Sequence, residues 1–554
     1  MEKRLLLAAA ISLAILVAWE WIAPKPARRT AAPNPVPTAS QPAEAPPASP
    51  AAEAVPTRSA AEKPGPTEKE PPRAPVSAPA ETETTISNGV FRATFSNRGA
   101  VLTSFVLIGH FEEQGKPLEL LRTLPPELPR PLSLDFGKDT EVTRRVSNAL
   151  FVVEEESKDH VRFRFADPSI AVTKEIRIHA GYLFDVNVTV DGPPYDLLVG
   201  PGLRNPAEQE MRSRYVLPAS AVASTSDGLK LVRPEKATAA SAWSIPARGF
   251  AGVEDNYFLE VLLPRAPTTA RALTFSAARA EGKPELEIAT GVAGRGTLEC
   301  SAYFGPKDVS ILESYGLGLE RTVDFGWYGI LARPLLWLLK KCQVYVGNWG
   351  LAILVVTFLI RLVLFPLTAK SYVSMKKMQK LAPKMNAIRD KYKKSKTDAA
   401  QRQKMNAELM ALYQAEGYNP MSGCLPMIVQ LPILVAFYNV LAKTIELRHA
   451  PFVLWIKDLS AIDSTYILVI LMIVSMYAQQ AMTPSTMDPA QKKIFMFMPV
   501  LWGFFLKDMP SGLVLYWLFS NLLTIVQQLI MNRIASDSDA PPPKGSRSLK
   551  KAKA

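Results

Sequence analysis

Hydrophobic residues follow three different rules along this chain. Between residues 81 and 318 they alternate with polar ones, as in VFRATF (90–95), VLTSFVL (101–107), FVVEEE (151–156), VRFRF (161–165), IAVTKEIRI (170–178) and FDVNVTV (184–190). Turn residues such as Asn97-Arg98-Gly99 and Asp191-Gly192-Pro193-Pro194 separate these segments. Many short period-2 segments with such breaks predict an antiparallel β-sandwich. In the C-terminal half the pattern changes: apolar residues fuse into runs at 349–367, 424–441, 466–482, 494–506 and 511–531, none of which contains Asp or Glu. From 24 to 80 there is no period. Sixteen of these 57 residues are Pro, so the segment reads as a disordered tether.

A further apolar run, Leu5–Ile22, follows basic Lys3 and Arg4. A cleaved signal peptide and an uncleaved signal anchor compete here. A cut after Ala23 would place Trp21 at the −3 position and Pro24 just beyond the cut, which favours the anchor, 1–23. The chain then has six expected spans. The fifth, Ile494–Leu506, has only 13 residues, about 20 Å at ~1.5 Å rise per residue. It falls short of the ~30 Å hydrocarbon core, so bilayer thinning or a snorkelling Lys507 is expected. The turn Asp508-Met509-Pro510-Ser511-Gly512 joins it to the sixth as a membrane hairpin. Residues 324–341 are amphipathic, contain Arg333 and Pro334, and are too short to span. They predict an interfacial helix, placed within 319–343.

Between the second and third spans, Met378, Leu381, Met385, Ile388 and Tyr392 keep a 3-4 spacing. Met405, Leu409 and Leu412 repeat it after the break 393–398. Asp398 and Gly417 are suited to cap the second helix. The prediction is a helical hairpin over 370–417, with a candidate kink at Pro383. Its methionines, Met375, Met378, Met385, Met405 and Met410, are candidate contacts for varied apolar partners or simply core filler.

Charge orients the spans. The formal net charge is +13, and the 370–417 loop alone holds twelve Lys and Arg against four acids. The 483–493 loop has Lys492 and Lys493, and the tail 535–554 is basic. The positive-inside rule places these segments and both termini in the cytoplasm, with the β domain outside. Lys25, Arg28 and Arg29 run against the rule and are outvoted. The basic tail suits ribosomal RNA or anionic lipid equally.

With depth assigned, the polar residues of the spans fall in the inner half of the bilayer. They are Arg361 and Thr357 on the second span, Gln430 on the third, and Ser475 and Gln479 on the fourth. On the sixth, Trp517, Asn521, Thr524 and Gln528 form one helical stripe. Either they line a wet cavity open to the cytoplasm, or they pin helices together by hydrogen bonds. Arg361 lies nine residues from Lys370, about 13 Å by helix rise. That exceeds the reach of an arginine, which favours the cavity over snorkelling. Three scattered cysteines offer no zinc site, and no GxxxxGK[ST], HExxH or GxSxG motif occurs. No cofactor is expected.

Several stretches resemble the YidC-type membrane protein insertases of Gram-negative bacteria, within the YidC/Oxa/Alb group. They are NWGLAILVVTFLIRLVLFPLTAKSY (348–372), NPMSGCLPMIVQLPILVAFYNVL (419–441), PFVLWIKDLS (451–460), MPSGLVLYWLFSNLLTIVQQ (509–528), WSIPARGFAGVEDNYF (243–258) and YFGPKD (303–308). The resemblance covers nearly the whole chain. It implies insertion of nascent membrane proteins into the inner membrane, alone or beside the Sec translocon, and assistance with their folding. It implies a hydrophilic groove in which Arg361 and Thr357 match groove residues. Trp517 stands where some relatives carry a tyrosine, which keeps a ring and loses a hydroxyl. It also implies a supersandwich-like outer domain without catalysis, and nascent chains, Sec components and the ribosome as partners. The five-span insertase core would be 344–534.

Two other readings of the residues stay open at this point. One is a secondary transporter of small anions with Arg361 as its cation, opposed by the lack of membrane acids and of inverted repeats. The other is a membrane-anchored carbohydrate-active enzyme, for which no carboxylate pair in 81–318 stands out.

Overall fold

The computed structural model describes residues 74–112, 115–204, 218–238, 241–277, 285–392, 398–417, 425–483 and 489–538. The expected signal anchor, nearly all of the tether, the 393–397 break, Cys424 and the tail beyond 538 lie outside the described residues.

Among the described residues, alternation becomes three antiparallel sheets. Nine strands form the largest, in the spatial order Gly228–Val232, Ser220–Thr225, Ala251–Glu254, Phe258–Pro264, Thr297–Pro306, Leu183–Asp191, Ala171–Ile178, His160–Ala166 and Val152–Glu156. A five-stranded sheet, centred on Glu285–Gly294, packs on one end of it. A four-stranded sheet, Glu83–Ser87 to Pro117–Glu119, covers the other. Where one face meets the core and the other meets water, burial alternates residue by residue, as in Ala171–Ile178 and Leu183–Asp191. Phe105 of the four-stranded sheet lies 5.6 Å from Phe304 and 6.0 Å from Phe184 of the nine-stranded sheet, ring centre to ring centre, knitting two sheets into one core.

One buried cation belongs to this packing. Lys174 is fully buried, and its Nζ donates to the carbonyls of Gly99 (2.8 Å), Ala100 (3.0 Å) and Leu132 (2.7 Å). Ala100 and Leu132 hold the left-handed conformation, with φ of 47° and 68°. L-residues adopt that conformation at a cost, and here it accompanies two carbonyls turned onto one ammonium.

Two short helices serve the β domain: α1 (Thr140–Asn148), capped by Asp139, and α2 (Val309–Ser314), capped by Asp308. Among the described residues seven further helices follow: α3 (Gly329–Val346), α4 (Trp349–Lys391), α5 (Ala399–Ala415), α6 (Leu425–Lys443), α7 (Ile467–Met482), α8 (Pro489–Leu506) and α9 (Ser511–Ser538). Five of them, α4 and α6 to α9, stand where the apolar runs lie. Among the described residues, two stretches, 349–391 and 511–533, are long and apolar enough to cross a membrane, and three apolar helices are shorter.

Three boundaries differ from the pattern-based expectation. The second apolar run and the first hairpin helix are one continuous helix of 43 residues, α4, which runs through Pro366 and Pro383. The flanking Ala, Lys, Met and Leu are strong helix formers, so the change from apolar to amphipathic pattern does not end the helix. Helix α8 begins at Pro489 and has 18 residues, five more than the apolar run 494–506. Proline is favoured at a first helical position, and the Ala-Gln-Lys-Lys that follows sustains the helix. The added Pro-Ala-Gln-Lys-Lys includes two lysines, so it lengthens the helix without lengthening its apolar stretch, which stays short of a full span. Helix α3 runs five residues beyond 341, to Val346, and ends on Gly347 at φ 69°.

The β domain and helices meet through polar contacts. Lys340 on α3 bridges Asp308 (3.2 Å) and Glu446 (2.5 Å). Arg448 donates to the Phe111 carbonyl at 2.9 Å, and Lys443 to the Asp324 carbonyl at 2.6 Å. The 444–466 loop folds over the first turns of α4 and α9. Asn348 donates to the Pro451 carbonyl (3.1 Å), and the Ser511 and Gly512 amides donate to Ala461 (2.7 Å) and Leu459 (2.9 Å).

Candidate functional site

Helix α9 is the hub of the apolar bundle, packing on α4, α6 and α7. Its polar residues divide among these neighbours according to helix rotation. Toward α4, Arg361 donates from Nε to the Ser520 hydroxyl at 3.0 Å, and a second guanidinium nitrogen reaches the same oxygen. Two turns on, Gln527 donates to Thr368, and Tyr372 donates to Asn532 Oδ1 at 2.6 Å. These three pairs form a ladder along the α4–α9 seam.

Toward α6, the Gln430 amide donates to the Tyr516 hydroxyl at 2.6 Å, and Phe437 stacks on the Tyr516 ring at 4.3 Å. Toward α7, Asn521 donates to the Ser475 hydroxyl at 3.1 Å, and Gln528 donates to Thr483 at 2.9 Å. The expected stripe 517/521/524/528 therefore does not face Arg361 as a single wall. Asn521, Ser475 and Gln528 are buried and tie α9 to α7. Trp517 sits 5.5 Å from Trp502 of α8, ring centre to ring centre. Thr524 donates to the Ser520 carbonyl at 2.9 Å, one turn back on its own helix. Thr357 is buried and donates to the Ile353 carbonyl at 2.6 Å, so its hydroxyl is engaged within α4. Gln479 is half-buried, and its backbone carbonyl accepts from the Thr483 hydroxyl.

The residues that the stripe pattern missed are Tyr516, Ser520 and Gln527. They occupy the adjacent face of α9, about 100° around from the chosen stripe at ~3.6 residues per turn. The signal was available: 516, 520 and 527 are spaced i, i+4, i+11, as regular as the stripe taken.

Arg361 itself is half-buried, and among the described residues no carboxylate lies within ion-pair distance of it. A guanidinium has five N–H donors. Here a single neutral oxygen receives two of its nitrogens. The site is suited to receive an anionic or polar group. Nothing arranged around it would move a proton or attack a bond, and no group of three or more His, Cys, Asp or Glu could hold a metal among the described residues.

Exposed apolar side chains accompany this polar centre on four helices. Leu362 and Val363 of α4, Val474 of α7, Phe504 of α8 and Val526 of α9 project outward. The far end of α4 packs on α5 through Leu381 and Met385, with Met378, Leu409, Leu412 and Tyr413 around them. Met385 is 1% exposed and lies inside this seam, out of reach of a partner, whereas Met410 is exposed and Met375 and Met405 are half-buried. Lys384–Glu416 (2.6 Å) and Lys391–Glu408 (3.0 Å) bridge the two helices at the surface.

Comparison with known proteins covers both halves of the chain. The pattern of the 60Kd inner membrane protein family matches residues 341–538, and that of the YidC periplasmic domain matches 83–338. A membrane protein insertase YidC of Citrifermentans bemidjiense is 35% identical over 565 residues, covering 97% of this chain and 100% of that one. One of Geobacter sulfurreducens is 46% identical over 310 residues, which is 55% of this chain and 56% of the relative, so that match spans about half of its length. A solved structure described as an active YidC insertase with its first transmembrane domain resolved is 18% identical, with a TM-score of 0.36. That comparison covers 81% of this chain and 92% of the other.

Proposed function

The chain belongs to the YidC family of inner-membrane protein insertases, a family of insertases and not of enzymes, and on that premise we propose how it handles its substrates. Apolar segments of nascent membrane proteins leave the cytoplasm along the wall formed by α4, α6 and α9. Arg361 receives an acidic or polar group of the segment that must cross, and lipid receives the rest. The observation that carries this reading is the state of Arg361: a half-buried cation in an apolar helix, held by one neutral hydroxyl with no acid in reach among the described residues. A buried cation left so weakly partnered is costly, and a substrate carboxylate supplies the missing charge for the duration of transit.

Charge placement supports the topology: six spans, both termini in the cytoplasm with the α4–α5 hairpin, and the β domain in the periplasm. Apolar side chains projecting from α4, α7, α8 and α9 suit lipid contact. Once a segment is engaged, an acidic residue moving outward gains ~2.3 kcal/mol per 100 mV of membrane potential. Sec components beside the bundle, the ribosome at the basic tail and hairpin, and anionic lipid are the partners this arrangement suits. Trp517, packed on Trp502, supplies an aromatic surface and no hydroxyl. The groove needs no chemistry of its own, and so the transporter and outer-enzyme readings have no remaining support.

Arg361→Ala should impair insertion of substrates with acidic outer segments, and Arg361→Lys, which keeps the charge but not the two-nitrogen edge, should fall between Arg361→Ala and wild type. Equal activity of the three proteins would remove the groove-charge idea. Site-specific crosslinking from position 361 or 524 to a stalled nascent membrane segment tests the route itself.

A further inference from the structure

We propose that Ser520 is the positioning residue of Arg361: its hydroxyl holds the place that the carboxylate of an arriving segment takes. This rests on the insertase reading above. The edge of a guanidinium formed by Nε and one terminal nitrogen is the edge that pairs with a carboxylate through two parallel hydrogen bonds. In this structure that edge is turned onto Ser520, where one oxygen accepts from both nitrogens. Ser520 thus occupies with a single neutral acceptor the position that two carboxylate oxygens would fill.

Ser520 is well placed to do this because its turn of α9 is tied on several sides. It is 3% exposed, its carbonyl accepts from Thr524, and its neighbours Tyr516 and Asn521 are bonded to Gln430 on α6 and Ser475 on α7. Arg361 is therefore aimed at a fixed point before any substrate arrives, which removes part of the ordering cost from the encounter. The exchange is favourable because a carboxylate brings the opposite charge and meets this edge with two oxygens in parallel hydrogen bonds, where the hydroxyl offers one neutral oxygen. A neutral placeholder is released, and an ionic one would not be.

The test uses full-length protein in vesicles and two single-span substrates, identical except that one outward-segment Asp is Asn in the second. Ser520→Ala should slow the acidic substrate roughly tenfold, the cost of about one charged hydrogen bond, and leave the neutral substrate unchanged. Ser520→Asn, which keeps a neutral acceptor and adds bulk, should insert both. Ser520→Asp places a permanent carboxylate on the same edge and should bring the acidic substrate down to the rate of Arg361→Ala. Equal slowing of both substrates by Ser520→Ala would reduce Ser520 to helix packing. A Ser520→Asp protein that inserts the acidic substrate at the wild-type rate would also overturn the proposal. Should Arg361→Ala itself insert both substrates normally, the underlying reading of Arg361 fails, and the role of Ser520 fails with it.

Discussion

Gly350 lies flat against the ring of Phe452: a Cβ built on the glycine would stand 2.1 Å from the nearest ring carbon. The contact joins the first turn of α4 to the 444–466 loop, which also holds the start of α9. It fixes the first turns of the two helices whose seam carries Arg361. Gly350→Ala should therefore destabilise the bundle by about 1–3 kcal/mol, as overpacking in a close-packed region does. Thermal unfolding of purified protein measures this. Phe452→Ala should absorb most of the effect of adding a methyl at 350, so the two substitutions are strongly non-additive. Additive losses would mean that the loop does not clamp α4.

The buried ammonium of Lys174 makes a second prediction, confined to the β domain. Replacing Lys174 with Met keeps the apolar stem and leaves the carbonyls of Gly99, Ala100 and Leu132 without their donor. Each orphaned acceptor costs about 1–3 kcal/mol, so the total loss should be about 3 kcal/mol or more. All three of these carbonyls belong to residues at positive φ, and the turns at 100 and 132 should loosen together. Hydrogen exchange at those turns, set beside a denaturant midpoint, tests both points. A midpoint unchanged by Lys174→Met would show that water replaces the ammonium without cost.

Acid should weaken the contact between the β domain and the loop. Burial, with Arg448 adding repulsion, pushes His110 from 6.5 down to about 4. Its ring meets Phe258 edge-on, and Arg448 lies over the same phenylalanine while donating to the Phe111 carbonyl. Between pH 6.5 and about 4 the unfolded chain binds a proton that folded His110 refuses, so this group's share of stability falls as pH drops through that window. Denaturant midpoints at pH 7 and pH 4.5 should differ less in His110→Gln than in wild type. An identical pH dependence would remove His110 as a contributor.

How much of this was legible in the sequence depended on which surfaces an element buries. Ala171–Ile178 and Leu183–Asp191 bury one face, so their alternation announced them. Tyr195–Val199 and Phe258–Pro264 are buried on both faces, and without alternation they carried no period-2 signal. The fusion of α4 was hidden because its pattern changes at Lys370 while its helix propensity does not. At the site, Arg361 and Gln430 stood out as polar residues in apolar runs. Ser520 did not, since a serine in a span is unremarkable until the rotation of its helix is known. The stripe anchored on Trp517 selected the face of α9 that meets α7 and α8, one residue off the face that meets Arg361.

That one-residue offset separates two roles for the polar residues of α9. Asn521 and Gln528 bond across to Ser475 and Thr483, and both are buried. Polar pairs of this kind between membrane helices contribute about 0.6 kcal/mol on average and about 1.7 at most. Asn521→Leu should lower the thermal stability of the bundle by an amount in that range, because it removes a donor while keeping volume. It should slow acidic and neutral substrates alike, and only as far as the loss of stability predicts. Arg361→Ala should show the opposite profile, with little change in stability and a selective loss for acidic substrates, since the hydroxyl it leaves behind on Ser520 is a weak acceptor that α9 can satisfy locally. Insertion assays paired with thermal unfolding on the same preparations separate the two. A charge-selective defect in Asn521→Leu would return Asn521 to the wall that receives the substrate, and the α7-facing side of α9 would then have to open during insertion.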